Sequence, residues 1–300
     1  MKNKLFIPCV ILIVFSLGFL YSANAQEELN GEINWVSGYV SGIGYGTAEP
    51  SGNRVIDKLK ALRAAKVLAQ RDLLENIKGV RVDSRTTVEN MMVKEDIIRT
   101  RVEGTIKGAR VVKRYFKWME GNVPLATVEM RVYLSSDMDS KRSYHSLVNT
   151  LNLERKYNAP PVPLPGIPKQ AASSGEPKIS YDSSKPVTGV VINLGGRFFE
   201  RVLLPVVGTE TKDKKPVTIY SVKSVDPKVI RTYGVVRYSD TVNAARKISY
   251  LGNNILIVPA TLVTNDNKII IGREGARTIK ETIRYDNNYL EDAKVAITSH

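Results

Sequence analysis

The sequence predicts an α+β fold in two parts: an N-terminal antiparallel sheet covered by a long helix, and a second, smaller α/β domain after a Pro-rich linker. Apolar residues at helical spacing run from Val55 to Lys78, and strand-like alternation follows up to Leu134. Proline and small residues dominate 158–186. Beyond this linker, strand-like runs alternate with helix starts. We therefore place the two domains at 34–157 and 187–300.

Residues 1–25 have the pattern of a cleaved secretory signal peptide. Lys2 and Lys4 form a charged start, Leu5–Leu20 is apolar, and small residues at Ala23 and Ala25 precede the expected cleavage. The apolar run is short for a bilayer, which favours export over a transmembrane helix. The predicted location is the periplasm or the outer-membrane periphery.

The only cysteine, Cys9, lies inside this apolar run. A mature chain beginning at Gln26 would contain no thiol, which excludes disulfides, thiolate metal ligands and a cysteine nucleophile. The position of Cys9 is also too close to Met1 for a lipid-attachment site. By sequence, the protein is not expected to be a lipoprotein.

The chain is strongly basic, with a formal net charge of +14. Loss of Lys2 and Lys4 with the signal would leave about +12 on the mature protein. This excess favours an acidic partner, which for an exported protein means lipopolysaccharide, cell-wall polymer, anionic lipid or another protein rather than nucleic acid. Peripheral membrane association is one form of such binding. A basic surface that serves solubility alone is the alternative.

The N-terminal domain begins with a predicted strand from Trp35 into the glycine cluster Gly42–Gly46. We interpret the cluster as a strand ending in a turn, because no helix starts directly behind it as a dinucleotide-binding loop would require. The helix that follows carries one stripe of large apolar residues and a second set of small residues on nearly the opposite side, so we expect packing on two sides. Gly79 ends it.

The stretch Val80–Val88 alternates and predicts a strand with Arg81 and Arg85 on one face. Arg99–Lys107 is interpreted as a second, less regular basic strand. A hairpin of Ala109–Met119 with Val123–Leu134 completes the sheet. If these strands are neighbours, their cations form a candidate interaction patch, which comprises Arg81, Arg85, Arg99, Arg101, Lys107 and Arg110. Cross-strand pairs with Asp83, Glu89 and Glu103 would neutralise it.

After a short amphipathic helix within Ser135–Tyr157, the proline-rich segment is interpreted as a spacer rather than as a ligand for an aromatic groove. The second domain should contain a helix starting at Asp226-Pro227 and another capped by Ser239 or Asp240. The other predicted elements are strands at Val187–Leu194, Val202–Val207, Val217–Val222, Ile255–Val263, Ile269–Ile271 and Lys294–Thr298, and a helix at Glu274–Tyr285.

The sequence contains no recognisable catalytic constellation. Neither His145 nor His300 has a second metal ligand at useful spacing, and no nucleophile elbow surrounds a serine. Carboxylate pairs such as Glu95 and Asp96 are more typical of charged surfaces than of glycoside hydrolysis. We therefore predict no catalytic residues, no cofactor, no metal and no enzymatic activity.

The strings LLENIKGVRVDSRTTV, which ends at Val88, and GTIKGARVV, which begins at Gly104, resemble the Lpp-twenty lipoprotein family. The N-terminal domain of the periplasmic flagellar T-ring protein is related to it. The strings VVINLGG and GNNILIVPA resemble the C-terminal extension of long members, although Asn193 and Gly196 stand where charged residues are expected. The resemblance implies an envelope protein without known enzymatic activity, tied in some branches to flagella, and it transfers no catalytic residues.

Together these observations predict a non-enzymatic envelope scaffold or assembly factor that is a candidate for flagellar assembly, with envelope or flagellar proteins as partners. The alternative is a basic binding module for an acidic envelope ligand, which would use the candidate interaction patch.

Overall fold

In the computed structural model, the described residues are 30–139, 145–153, 178–211, 216–284 and 287–299. The predicted signal peptide and positions 158–177 of the predicted linker lie outside them. The predicted fold class is confirmed, with an antiparallel sheet and a long helix in the first domain and a mixed sheet in the second. No helix in the described part of the chain is both long and apolar enough to cross a bilayer.

The N-terminal domain contains β1 (Ile33–Asn34), β2 (Tyr39–Thr47), α1 (Arg54–Gly79), α2 (Val88–Lys94), α3 (Asp96–Lys107), β3 (Arg110–Trp118), β4 (Pro124–Tyr133) and α4 (Leu147–Thr150). Its described strands form an antiparallel sheet in the order β1-β2-β4-β3. Helix α1 lies across β2 and β4, so one face of the sheet is covered and the other is open.

The C-terminal domain contains β5 (Gly189–Asn193), β6 (Val207–Glu210), β7 (Pro216–Tyr220), α5 (Pro227–Tyr233), β8 (Arg237–Ser239), α6 (Val242–Ala245), β9 (Ile255–Val263), β10 (Ile269–Ile271), α7 (Arg273–Thr282) and β11 (Val295–Thr298). Its described strands follow the order β7-β6-β10-β9-β5-β11-β8. Strands β9, β5, β11 and β8 are parallel, while β7 and β9 run antiparallel to their neighbours β6 and β10.

Helix α1 begins where the Asn53 side chain accepts hydrogen bonds from the backbone N–H groups of Val55 and Ile56. One stripe of the helix is buried, at a spacing of four residues: Asp57, Ala61, Ala65, Ala69, Leu73 and Ile77. The predicted stripe of large apolar residues is wrong over the first turns, because Val55 and Leu59 are 68% and 62% exposed. Helix α1 contacts α2 and α3 as well as the sheet. Ala61 and Ala65, from the predicted set of small residues, instead belong to the buried stripe of α1.

The sequence predicted that the glycine cluster ends a strand in a turn. This is wrong, because the glycines lie inside β2. Gly42, Gly44 and Gly46 alternate along β2, so all three face α1. A Cβ atom on Gly44 would lie 2.1 Å from the carbonyl oxygen of Ala65. These glycines therefore allow the backbone of β2 to approach the backbone of α1 directly.

Two strand predictions between the helix and the hairpin are wrong. The predicted strand Val80–Val88 is instead a tight loop that leads into α2 at Val88. A bridge between Arg81 and Thr87 closes the loop, and the Val82 N–H donates to the Thr86 carbonyl at 2.8 Å. Arg99–Lys107 belongs to α3, which buries Ile98, Val102, Thr105 and Ile106. Burial at i, i+4, i+7 and i+8 is helical spacing, and it overrides the alternation of charges.

In the C-terminal domain, the helix start at Asp226-Pro227 is confirmed, with the Asp226 carboxylate accepting from the Lys228 N–H at 2.6 Å. Helix α6 is capped by the Thr241 hydroxyl instead of Ser239 or Asp240. The predicted strand at Val202–Val207 is also wrong. Only its last residue, Val207, lies in a strand, as the first residue of β6.

The last part of the predicted spacer, within the described residues 178–186, is packed on the C-terminal domain. Ser180 forms two backbone hydrogen bonds with Ile257, at 3.2 and 2.9 Å. The side-chain amide of Asn254 donates to the carbonyl oxygens of Asp182 and Lys185. The domain therefore includes at least nine residues ahead of its predicted start at 187.

The Asp182→Asn variant is expected to reduce the acid sensitivity of this segment. The hydroxyl of Ser184, followed by Lys185 and the Ser184 N–H, lowers the pKa of Asp182 to about 2. A lowered folded-state pKa adds stability above the ordinary carboxyl pKa, and this stability is lost as the pH falls towards the folded-state value. Urea midpoints measured between pH 5 and pH 2.5 should therefore fall further for the wild type than for the variant; equal falls would contradict this.

Candidate interaction surfaces

The arginines predicted to share a strand face are placed on different elements. Arg81 pairs with Glu200 of the C-terminal domain at 2.6 Å and donates to the Ser84 carbonyl at 3.0 Å. Arg85 is exposed on the same loop, beside a cavity of about 260 Å³ formed by this loop and residues of the C-terminal domain, among them Val202. Arg81 therefore contributes to the contact between the domains, whereas Arg85 is exposed to solvent.

The remaining members of the candidate interaction patch lie on α3 and β3. Arg99 pairs with Asp96 at 3.2 Å and donates to the Met92 carbonyl. Arg110 pairs with Asp139 at 2.8 Å. Among the described residues, Arg85, Arg101 and Lys107 form no ion pair within 4.0 Å. The six cations therefore do not form a strand-face array, and their binding role stays a prediction.

The domains are held together by a buried polar cluster around Arg237 of β8. Its guanidinium group donates to the carboxylate of Asp137 at 2.5 Å, to the Tyr233 carbonyl at 2.6 Å and to the Ser135 hydroxyl at 3.3 Å. Asp137 and Ser135 belong to the N-terminal domain. The side chain of Arg237 is only 7% exposed, so its charge is satisfied by these partners rather than by water.

Aromatic rings extend this junction. Trp35 of the N-terminal domain meets Tyr238 edge to face, with 5.5 Å between ring centroids. The Tyr238 hydroxyl donates to the Val202 carbonyl at 2.7 Å, and burial raises the pKa of this phenol. Burial also raises the pKa of Tyr250, which stacks on Tyr233 beside Arg237. Both phenols therefore remain neutral over the physiological range.

Backbone contacts complete the junction. The N–H groups of Leu203 and Leu204 donate to the carbonyl oxygens of Arg81 and Val82, at 3.0 and 2.8 Å. One buried apolar cluster includes residues of both domains, such as Val82 and Leu203. The two domains therefore share a buried apolar core. This arrangement turns the two predicted domains into one packed unit.

A cavity of about 650 Å³ opens beside the junction, lined by Ser136, Asp137, Asn149, Lys228, Arg231, Thr232 and Tyr233. Two of these side chains are held by contacts between the domains: Asp137 by Arg237, and Ser136 by the Arg231 carbonyl at 3.3 Å. Within the described ranges, no group of three His, Asp, Glu or Cys side chains is arranged to hold a metal ion.

The edge strand β3 carries a second concentration of cations: Arg110, Lys113, Arg114 and Lys117. Arg54 and Lys58 of α1 lie over the rings of Trp118 and Phe116, at 4.5 and 5.1 Å. Of these cations, only Arg110 belongs to the candidate interaction patch predicted from the sequence, and Lys117, Arg54 and Lys58 were missed. The string RVVKRYFKW, with four cations and no acidic residue, was the available signal.

The open face of the sheet, by contrast, is internally paired. Glu129 accepts from Arg131 at 2.6 Å and from Lys113 at 3.1 Å. Arg131 also lies 3.9 Å from the ring centroid of Tyr39. Burial, followed by the hydrogen bond to Glu32, raises the pKa of Tyr39. Glu129 therefore neutralises part of the positive charge on this face of the sheet.

The fold defines an α+β protein of two domains that are packed together. Residues 36–130 match the family model of the LPP20 lipoproteins, and residues 189–300 match that of the second domain of Treponema pallidum Tp0624. No curated protein matches the chain. The predicted resemblance, an Lpp-twenty domain followed by a C-terminal extension, is thereby confirmed. Similarity to a lipoprotein family indicates an exported protein of the cell envelope.

Proposed function

We propose that the protein is a non-enzymatic scaffold or assembly factor of the cell envelope, whose two domains act as one rigid body. The observation that supports this most is the junction around Arg237. Its buried charged and aromatic groups contact one another across the domain boundary. Their hydrogen bonds therefore hold the two domains together. A role in flagellar assembly is a narrower form of this proposal, and its support is the sequence resemblance to a family related to the flagellar T-ring domain.

In-cell photo-crosslinking tests the scaffold proposal. A photoreactive residue at position 85 is placed on the exposed loop beside the junction, and a matched control at Lys280 is placed on the exposed side of α7. We expect position 85 to capture one dominant envelope or flagellar protein, and position 280 to capture none reproducibly. Equal capture at both positions, or substrate turnover lost on mutation of a residue lining the large cavity, would overturn the proposal.

The second candidate function is binding of an acidic envelope ligand. Its support is the set of exposed cations Arg85, Arg99 and Lys107, together with the cationic strand β3. Binding to lipopolysaccharide vesicles would then weaken steeply between low and high salt, because exposed charge interactions are screened beyond about 8–10 Å near physiological ionic strength. Salt-independent binding, or none, would exclude this candidate.

A further inference from the structure

Strand β3 is the outermost strand of its sheet. It follows β4 at the end of the order, and no described residue pairs with its outer side. A register shift lies between Val111 and Lys113, so the regular part of the edge runs from Lys113 to Trp118. This stretch is about 20 Å long, the length of a six-residue strand. An edge of this kind can accept one more strand through its backbone.

The backbone groups that face outward follow from the hairpin. The Met119 N–H donates to the Val123 carbonyl at 2.8 Å. In an antiparallel ladder the hydrogen-bonded pairs alternate, so Lys113, Tyr115 and Lys117 direct their backbone groups towards β4. Arg114, Phe116 and Trp118 therefore direct theirs away from the sheet. Pro124, which has no N–H, lies opposite Trp118 in the register. This agrees with the alternation, because the two residues form a non-hydrogen-bonded pair and Pro124 has no N–H to donate to β3.

The side chains of the edge differ between its two faces. On the helix side, Phe116 and Trp118 meet edge to face at 5.1 Å beneath the two α1 cations. On the open side lie Lys113, Tyr115 and Lys117, and Tyr115 is 60% exposed. An added strand would thus meet aromatic rings with one set of alternate residues and ammonium groups with the other.

Charge decides which strand fits. Lysine on an edge strand protects against pairing with a second copy of the same edge, because like charges would then face one another. The same cations attract an acidic strand. Along β3 only Lys113 and Arg110 are paired with described acidic residues, which are Glu129 and Asp139.

We propose that β3 binds an extended acidic segment of a partner protein by strand addition. Acidic residues of the segment would face Lys113 and Lys117, and the alternate apolar residues would pack on Phe116 and Trp118. This deepens the proposed scaffold function, on which it rests, by naming a docking surface and the chemistry of its partner. Its failure would leave the crosslinking result at position 85 unaffected, so the two proposals can fail separately.

The first test uses a peptide of about six residues in which glutamate and valine alternate, with lysine–valine and glutamate–proline peptides as controls. We expect the first peptide to slow amide hydrogen exchange at Arg114, Phe116 and Trp118 of the whole protein, and to lose affinity in high salt. The proposal is overturned if the controls bind equally well, if these amides are unchanged, or if they are already protected by another segment of this chain.

The second test compares Arg114→Pro with Arg114→Ala. Both variants remove the charge, but only proline also removes the outward N–H, and neither removes a hydrogen bond to β4. We expect the proline variant to bind the glutamate–valine peptide about tenfold more weakly than the alanine variant. Equal affinities would contradict strand addition. Should the proline variant not fold, the exchange experiment on the unaltered protein still decides the proposal.

Discussion

Replacing Arg237 by methionine is expected to lower the free energy of unfolding by about 3 kcal/mol, at the lower end of the cost of breaking a buried ion pair. We expect a loss at the lower end of that range because the Asp137 side chain is 23% exposed, so water can partly hydrate its carboxylate once Arg237 is removed. The variant also leaves the Tyr233 carbonyl and the Ser135 hydroxyl without their donor. Since these groups join the domains, the loss acts on the junction rather than on one domain alone.

Urea unfolding followed by circular dichroism measures this effect. The wild type should unfold in one transition because its core is continuous, whereas Arg237→Met should show an earlier or a divided transition. Arg277→Met is the matched control, since its pair with Glu281 is exposed and separated by 3.7 Å. We expect the control to stay within about 0.5 kcal/mol of the wild type. Equal stability of the two variants would contradict a structural role for Arg237.

A double variant separates the charge from the packing. Asp137→Asn combined with Arg237→Met removes both charges, so it no longer leaves an unpaired carboxylate at the junction. We expect it to be more stable than the sum of the single changes predicts, with a coupling of about 1–3 kcal/mol. Strict additivity would show that the two side chains act independently.

The sequence predicted those elements whose signals are local. Helix α1 was placed within a residue at each end from its apolar pattern and from Gly79. The cap at Asn53, which also precedes the helix directly in sequence, was available as a further local signal. The β3–β4 hairpin and the helix start at Asp226 were equally accessible. In each case the residues that determine the element are neighbours in sequence, so no tertiary contact is needed to recognise it.

Region 99–107 was misassigned because two periods competed. Alternating charges suggested a strand, while Ile98, Val102 and Ile106, four residues apart, marked the buried side of a helix. Burial contributes more free energy than exposed charge pairs, so the apolar spacing was the better guide. The glycines of β2 carried a comparable signal, since alternating glycines in a strand indicate close approach of another backbone.

The junction could not have been predicted from the sequence. Nothing in the order of residues indicates that Arg237 would find Asp137 across 100 positions, or that the segment at Leu203 would pair with the loop at Arg81. The candidate interaction patch failed as an array for the same reason. Its members were grouped by an assumed strand adjacency, whereas tertiary packing assigned Arg81 to the junction and Arg99 to a helix.

Replacing Gly44 by alanine is expected to lower the free energy of unfolding by about 3 kcal/mol, the upper part of the usual range for overpacking. The added Cβ would lie 2.1 Å from the Ala65 carbonyl oxygen and 2.2 Å from the Ala69 nitrogen. Both are backbone atoms of α1, so no side chain can rotate away. Either the helix moves off the sheet or β2 bends, and each outcome opens the buried stripe that contains Leu73.

Gly104→Ala is the matched control, because nothing lies within 4 Å of a Cβ built there. This glycine is exposed inside α3, where alanine should stabilise the protein by about 0.5–1 kcal/mol. Urea midpoints of the two variants should therefore shift in opposite directions. Trp118 gives a second readout, since a displaced α1 would lift Arg54 from its ring and change its fluorescence. A Gly44→Ala protein with unchanged stability and emission would contradict the idea that these glycines set the distance between helix and sheet, and with it the placement of cations over β3.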